Sequence, residues 1–217
     1  METQEAIVAV LVAQIETGYP PNLVHIEDAP PLVGVVGQSN LLARPTIAVV
    51  GARNALLNGR RFAERLAISL GKGGFVVVLG LARGIDASAH TGALETGMVV
   101  MVAGGIDVVY PKGNERLHGE IAKRGVILSK IEPGTTPQVR YFPRRNRLIS
   151  GTALCVVVVE ASLHSGSLIT ARLALEQGRE VFALPGLPFD PRARGNNDLL
   201  RPGGDNDGND RIRVECP

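Results

Sequence analysis

Short apolar runs alternate along the chain with stretches of helical period. Six runs rich in β-branched residues predict strands buried on both faces: TIAVVG (46–51), FVVVLG (75–80), MVVMVAGG (98–105), GVILSK (125–130), CVVVVEA (155–161) and EVFALPG (180–186). Apolar residues at helical spacing lie between them: Phe62, Leu66 and Leu70; Ile85, Ala89 and Ala93; Leu117 and Ile121; Leu168, Ala171 and Leu175. Because parallel strands need helical crossovers, the pattern predicts an α/β fold with a doubly wound, mostly parallel sheet and helices on both faces.

The two ends of the chain differ from this alternating pattern. Residues 19–45 hold five of the fourteen prolines and are expected to be irregular, so residues 1–45 are interpreted as an N-terminal lead-in. Residues 204–217 carry almost no apolar side chains and are predicted to be a disordered tail. One domain over residues 46–203 remains, a usual size for a single core.

Composition limits the kind of partner. Of the 217 residues, 45% are hydrophobic and 20% are charged, and the formal net charge is only +2. Such a chain does not coat nucleic acid indiscriminately, so any basic site must be local. The two cysteines give no disulfide framework, and the N-terminus carries acids rather than a basic signal region. We therefore expect a soluble protein of the cytoplasm.

The loops that follow the predicted strands are built from small and basic residues. Arg53 lies two residues after the first strand, and Ser165, Gly166 and Ser167 precede the helix that follows the fifth. In doubly wound sheets, ligands bind at the carboxyl ends of the strands, where helix N-termini leave unpaired amides. These loops predict an anion site.

The absence of known sequence motifs excludes several kinds of binding and catalytic site. The chain contains no G-x-x-x-x-G-K-[ST] string and no G-x-G-x-x-G after its first predicted strand. It also lacks G-x-S-x-G, H-E-x-x-H and C-x-x-C, and its four histidines are scattered. We therefore expect no cofactor, no metal site and no hydrolase triad.

The segment RYFPRRNRLISG, residues 140–151, concentrates positive charge. Its four arginines are Arg140, Arg144, Arg145 and Arg147, and Pro143 predicts a helix start among them. Cations at a helix N-terminus oppose the helix dipole, so the arrangement favours a bound anion over a merely solvated face. Phe142 and Tyr141 offer a ring for a nucleobase, or else belong to the core.

Three titratable residues admit two interpretations each. Asp86 and His90 lie four apart on one predicted helix and form either an acid–base pair or a structural brace between helix and loop. Glu160, at the end of an apolar strand, binds a ribose hydroxyl, orients the Ser-Gly loop or serves as a purely structural brace.

Several ordered strings together resemble the DNA-processing protein A family, DprA or Smf. They are VGARN, GLARGIDASAH, VVYPKGN, YFPRRNRLISG, VVVVEASLHSGSLITARLALEQGREVFALPG and DPRARGNNDLLRPG, and the likeness runs from about Tyr19 to Gly203. The resemblance implies an extended Rossmann-like domain that binds incoming single-stranded DNA in natural transformation, protects it and helps load the RecA recombinase. It also implies a homodimer, no catalysis and no cofactor.

The resemblance assigns DNA contacts residue by residue. Arg53 falls on the arginine of the family's G-[SA]-R turn, Lys112 on the lysine after Tyr-Pro, and residues 142–147 on the Phe-Pro-x-Arg-Asn-Arg segment. With the anion loops added, the predicted DNA-binding set is Gly51, Arg53, Lys112, Arg140, Phe142, Arg144, Arg145, Asn146, Arg147, Ser165, Gly166 and Ser167.

The chain departs from the family pattern at several points. Leu79 stands where the family usually has serine, and Lys130 stands in place of a usual Ser-Glu. The N-terminal helical and C-terminal winged-helix modules of many members do not fit in this sequence, so a truncated or degenerate copy is expected.

Two other classes of function compete with DNA binding. A nucleotide-binding enzyme of the phosphoribohydrolase type would use Asp86, His90 and Glu160, but those enzymes resemble P-G-G-x-G-T-x-x-E. The nearest string, PGGDNDGND, lacks the third glycine, the threonine and the glutamate. A pure protein-interaction module predicts that removing the charges of Arg53 and Arg145 leaves function unchanged.

Overall fold

The computed structural model describes residues 9–201 and 212–213, whose strands form one sheet. The strands are β1 (Val10–Ala13), β2 (Leu32–Gly37), β3 (Thr46–Val50), β4 (Val76–Leu79), β5 (Met98–Met101), β6 (Val126–Ser129), β7 (Cys155–Val158), β8 (Glu180–Ala183) and β9 (Ile212–Arg213). Their order is β1-β2-β6-β5-β4-β3-β7-β8-β9, and every neighbouring pair from β6 to β9 is parallel. The predicted doubly wound α/β fold is confirmed, and each of the six predicted runs contains a strand.

Helices cover both faces of this sheet. They are α1 (Leu57–Lys72), α2 (Ile85–Ala93), α3 (Glu115–Arg124), α4 (Tyr141–Thr152), α5 (Gly166–Glu176) and α6 (Arg194–Leu199). Ala63 of α1 and Ile121 of α3 join one buried cluster, whereas Leu148 of α4 and Ala171 of α5 join another. Because consecutive strand residues point to opposite faces, each buried strand contributes to both clusters.

The N-terminal segment belongs to the sheet, which the sequence reading did not foresee. Residues 32–37 form β2, so the expectation that residues 19–45 are irregular does not hold there. β2 pairs antiparallel with both β1 and β6. The strand was missed because its string, LVGVVG, follows two prolines and contains two glycines, and both residue types indicate loops. The division at residues 45 and 46 stays a prediction. The disorder predicted for residues 204–217 lies outside the described residues, except for β9, which pairs with β8.

A buried arginine joins α4 to the carboxyl ends of two central strands. Arg145 is only 6% exposed, and its Nη1 donates hydrogen bonds to the carbonyl oxygens of Gly80 and Met101. A side chain on Gly80 would collide with this guanidinium, so only glycine fits there. Burial lowers the pKa of Arg145 to about 10, which still leaves the group charged at neutral pH. The residues just after β4 and β5 are therefore fixed to α4.

The amide side of the same loop is held by Asp86. Its Oδ2 accepts hydrogen bonds from the backbone N–H of Gly80 at 3.1 Å and of Ala82 at 3.3 Å. Leu81 between them is buried in a left-handed conformation with φ of 58°, which is unfavourable for a leucine. Asn114 donates from Nδ2 to the Leu81 carbonyl at 2.9 Å. These contacts hold the loop in a conformation that it would not adopt alone.

Substituting Arg145 tests this role. Arg145→Met leaves two buried carbonyl groups without their donor, so we expect a loss of about 3 kcal/mol in the free energy of unfolding. Arg144→Met is the matched control. Arg144 is the exposed neighbour of Arg145, so the same chemical change there should alter the free energy of unfolding by less than about 0.5 kcal/mol. Urea titration measures both variants. Equal midpoints for the two would contradict the role given to Arg145.

His90 gives the fold a dependence on pH. The side chain lies fully buried on α2, and burial, with a smaller contribution from the Arg145 charge, lowers its pKa to about 3. Between about pH 6.5 and 3, the unfolded chain takes up a proton that the folded chain refuses. Stability present above pH 6.5 is therefore lost as the pH falls through this window.

We expect acidification from about pH 7.5 to 5 to cost the wild type about 2 kcal/mol through His90. The pKa of His118 is also lowered by burial, so part of the pH dependence should persist in His90→Leu. His164→Gln, an exposed control, should keep the full dependence. Urea midpoints at both pH values provide the measurement, and a His90→Leu curve that parallels the wild type would overturn the assignment.

Candidate functional site

An open cleft of about 630 Å³ lies at the carboxyl ends of β3 and β7. The chain leaves these neighbouring strands toward opposite faces, β3 leading to α1 and β7 leading to α5. Ligands of doubly wound sheets bind at such a switch point. The lining residues are Val50, Gly51, Ala52, Arg53, Asn54, Ala82, Asp86, Phe142, Pro143, Arg145, Asn146, Ile149, Glu160, Ser162, Ser165, Gly166, Ser167, Ile169, Thr170 and Arg192.

One wall of the cleft combines a cation with aromatic rings. The guanidinium carbon of Arg53, an exposed residue, lies 5.4 Å from the centre of the Phe142 ring. On its other sides this ring contacts Tyr110, with centroids 5.8 Å apart, and the buried Arg145 at 5.9 Å. Cation–π attraction therefore orients both Phe142 and Arg53 at the opening. Phe142 also lines a second pocket of about 110 Å³, together with Arg53, Ala82 and Arg145, which line both pockets.

The opposite wall is the N-terminus of α5. Ser165 caps this helix: its Oγ accepts from the Ser167 N–H and lies 2.6 Å from the Ser167 Oγ. Beside it, the Cα of Gly166 borders open space, and Asn146 donates from Nδ2 to the Gly166 carbonyl. Helix amides and hydroxyl groups at an open surface favour an anion. Ser165, Gly166, Ser167 and Asn146 are thus together, as the sequence predicted.

Glu160 braces the loop between β3 and α1. Its two carboxylate oxygens lie 3.3 and 3.1 Å from the Leu56 N–H, which precedes the first residue of α1. The Glu160 carbonyl accepts from Ala52 N–H at 2.7 Å. A side chain on Gly51 would come within 2.6 Å of Ile85, so this loop packs closely at both ends. Of the alternatives for Glu160, a structural brace describes its contacts, although the braced loop is the one that carries Arg53.

Asp86 and His90 do not form an acid–base pair. Both acceptor contacts of Asp86 are to backbone amides of the loop after β4, as expected for a structural brace. Both nitrogens of His90 are buried without a hydrogen-bond partner among the described residues. Burial raises the pKa of Asp86, while the Arg145 charge and the amide donors oppose that shift.

The predicted arginines of α4 lie in different environments. Arg144 is exposed, as are Arg140 just before the helix and Lys112 in the turn Lys112–Asn114. Arg145 is buried in the contacts described above. Arg147 forms an ion pair with Asp28 and also donates to the Asp28 carbonyl at 3.0 Å. The sequence placed all of these arginines in the DNA-binding set, but Arg147 is engaged by Asp28 of the N-terminal segment, a partner that helix spacing could not reveal.

Sequence reasoning missed several residues of the cleft. Arg192 lines it from the loop before α6, where its Nε and Nη2 donate to Asp190 at 3.0 and 3.1 Å. Ser162 and Thr170 also line it. The string DPRARG is part of the family resemblance, but its spacing gives no indication that Arg192 lines the same cleft as Glu160.

Some kinds of site find no support in this part of the chain. Among residues 9–201 and 212–213, no group of three or more His, Cys, Asp or Glu side chains is arranged to hold a metal ion. Within the same ranges, every helix is too short or too polar to cross a bilayer.

Comparison with known proteins places the chain in a family. Residues 10–206 match the model for DNA recombination-mediator protein A. The chain is 42% identical over 187 residues to DNA processing protein DprA of Streptococcus pneumoniae, covering 85% of this chain and 66% of that one. It is 43% identical over 188 residues to protein Smf of Escherichia coli, covering 85% and 50%. It thus spans about half to two thirds of these relatives.

A solved structure agrees with the sequence matches. DNA processing protein A from Helicobacter pylori, described for its single-stranded DNA binding mode, superposes with a TM-score of 0.86 at 30% identity. The likeness covers 96% of this chain and 91% of that one. With the fold, the ordered motifs and the family model in agreement, the chain belongs to the DNA recombination-mediator protein A family, DprA or Smf.

Proposed function

We propose that the cleft binds single-stranded DNA, mainly through its phosphates. The main observation behind the proposal is that two walls, each suited to a different part of a DNA strand, line the same opening. The exposed Arg53 guanidinium lies over Phe142 on one side, and the N-terminus of α5, where Gly166 borders open space, lies on the other. Guanidinium groups and helix amides bind phosphate oxygens, and an oriented ring accepts a base face.

Single strands suit this opening better than duplexes. A base can stack on Phe142 only if its face is free, and in a duplex the faces are covered by neighbouring base pairs. Only a few aromatic side chains are available, since Phe, Trp and Tyr make up 4% of the chain. Binding should therefore depend little on sequence and strongly on salt. The single-stranded DNA binding of the Helicobacter pylori relative supports this choice of ligand.

The proposal includes no catalytic step and no resident cofactor. The acids that a phosphoribohydrolase-type enzyme would use are engaged with backbone amides, Glu160 with Leu56 and Asp86 with Gly80 and Ala82. His90 is fully buried and cannot reach a substrate in the cleft. These contacts favour a binding role over base release.

The wider role follows from the family. We assign the chain to natural transformation in the cytoplasm, where it protects incoming strands and helps load the RecA recombinase. Its working form is taken to be a homodimer, which would lengthen the DNA track. The family description as a recombination mediator supports this assignment.

Arg53→Ala tests the cleft. We expect its affinity for an oligothymidine strand to fall about tenfold at low salt, since one phosphate contact and the orientation of Phe142 are lost. The preference for single-stranded over double-stranded competitor should shrink with it. Arg124→Ala, which removes an exposed arginine from the far end of α3, is the control and should bind like the wild type. Competition titration measures all three proteins, and unchanged preference in Arg53→Ala would refute the proposal.

Salt dependence gives a second, independent test. Five or six cationic contacts, as the sequence indicated, would give a log–log slope of roughly −3.5 to −4.5. In the structure four predicted cations are exposed, namely Arg53, Lys112, Arg140 and Arg144. We therefore expect a slope of about −3 for a six-nucleotide strand, measured by fluorescence anisotropy. A slope near zero would show that phosphates do not dominate binding.

A further inference from the structure

The outer face of α1 carries a row of cations that the cleft does not use. Arg61, Arg65 and Lys72 are exposed, and at about 100° per residue they lie within a narrow sector of the helix. The opposite side of α1 is buried through Ala63 and Ala67. We call Arg61, Arg65 and Lys72 the α1 stripe.

The cations in the N-terminal half of this helix are arranged against its own stability, whereas Lys72 in the last turn favours the helix dipole. Arg61 and Arg65 are like charges four residues apart, a spacing at which they repel each other. Arg60 and Arg61 lie near the helix N-terminus, where cations oppose the dipole, and the first turn holds no acid. Within residues 9–201, no ion pair engages the α1 stripe. An external anion would compensate this repulsion.

The surroundings of the stripe offer little negative charge. On α1 itself the acid is Glu64, which is half-buried and whose carbonyl packs against Gly92 of α2. The neighbouring helix α2 contributes uncharged residues at its partly or fully accessible positions, namely Ala87, Ser88, Thr91 and Gly92, and the exposed acid Glu95 lies just beyond its end. A negatively charged ligand can therefore approach the stripe without meeting exposed carboxylates from either helix.

The helix that carries the stripe begins beside the cleft. The Leu56 N–H, immediately before α1, contacts the Glu160 carboxylate on the cleft floor, and Arg53 lies three residues earlier. From Arg61 to Lys72 the helix rises about 16 Å, at about 1.5 Å per residue. A chain of phosphates leaving the cleft past Arg53 would therefore meet cations along its path.

We propose that the α1 stripe binds the phosphates of the same single strand after it leaves the cleft. This inference rests on the proposed function and extends the DNA track along the outside of the domain. Continuity with the cleft favours a nucleic acid over an acidic protein segment, because one ligand then satisfies both sets of cations. Leu57 and Ile68 are exposed on the same face of α1 and offer apolar contact to sugars and bases.

The test compares two strand lengths and two double variants. Arg61→Gln with Arg65→Gln removes two charges from the stripe, whereas Lys123→Gln with Arg124→Gln removes two exposed charges from α3 on the same face of the sheet. Binding of six-nucleotide and thirty-nucleotide oligothymidine is followed by anisotropy over a range of salt concentrations. The thermal midpoint of each variant checks that it folds.

For the long strand, removing two phosphate contacts should lower the magnitude of the log–log salt slope by about 1.4 in the stripe variant. Because the electrostatic contribution vanishes near about 1 M salt, this corresponds to a loss of about 25-fold in affinity at about 0.1 M salt. Its binding of the short strand should match the wild type, and its thermal midpoint should stay level or rise because a like-charge pair is gone. The α3 variant should bind both lengths like the wild type.

Other outcomes separate the two proposals. If the wild type binds neither strand with a salt dependence, the proposed function itself fails. If the wild type binds both and Arg53→Ala weakens both, but the stripe variant matches the α3 variant on the long strand, the stripe is not part of the DNA track. That result overturns this inference and leaves the cleft proposal standing.

Discussion

The position of Gly80 is the constraint on which the site depends. Its carbonyl accepts from Arg145, and its amide donates to Asp86, so both backbone polar groups of one residue are held by buried charged groups. Burying an arginine and a carboxylate costs free energy that only such hydrogen bonds offset. The same arginine lies against the Phe142 ring, and that ring lies under Arg53. Contacts in the core thus determine where an exposed guanidinium stands at the opening.

This arrangement separates two roles among similar residues. Arg145 and Arg147 are arginines of one helix, yet the first braces the sheet and the second pairs with Asp28 of the N-terminal segment. Arg53, Arg140 and Arg144 stay exposed. With a formal net charge of only +2, the chain directs attraction for anions to particular surfaces rather than to its whole surface. Structural arginines and the exposed arginines that we propose bind DNA therefore occur within a few residues of each other.

The sequence predicted the central fold because parallel strands buried on both faces are continuous apolar runs, as in TIAVVG and FVVVLG. It missed β2, which pairs antiparallel with β6, because the apolar string that forms this strand is short and is interrupted by Gly34. Pro143 indicated the helix α4, but the sequence could not tell that Arg145 turns inward, because burial of a charge depends on carbonyl groups at the ends of β4 and β5 that are distant in sequence. Arg192 was missed for the same reason: its place beside the cleft results from the path of the loop before α6.

The central claim is that a sugar-phosphate chain lies along the carboxyl edge of the sheet between Arg53 and the start of α5. The most direct measurement is the mapping of backbone amide chemical shifts in the isotope-labelled protein as oligothymidine is added. The account predicts the largest changes at Gly51–Arg53 and at Gly166–Ser167. Changes confined to β1 and β2, at the far edge of the sheet, would contradict it.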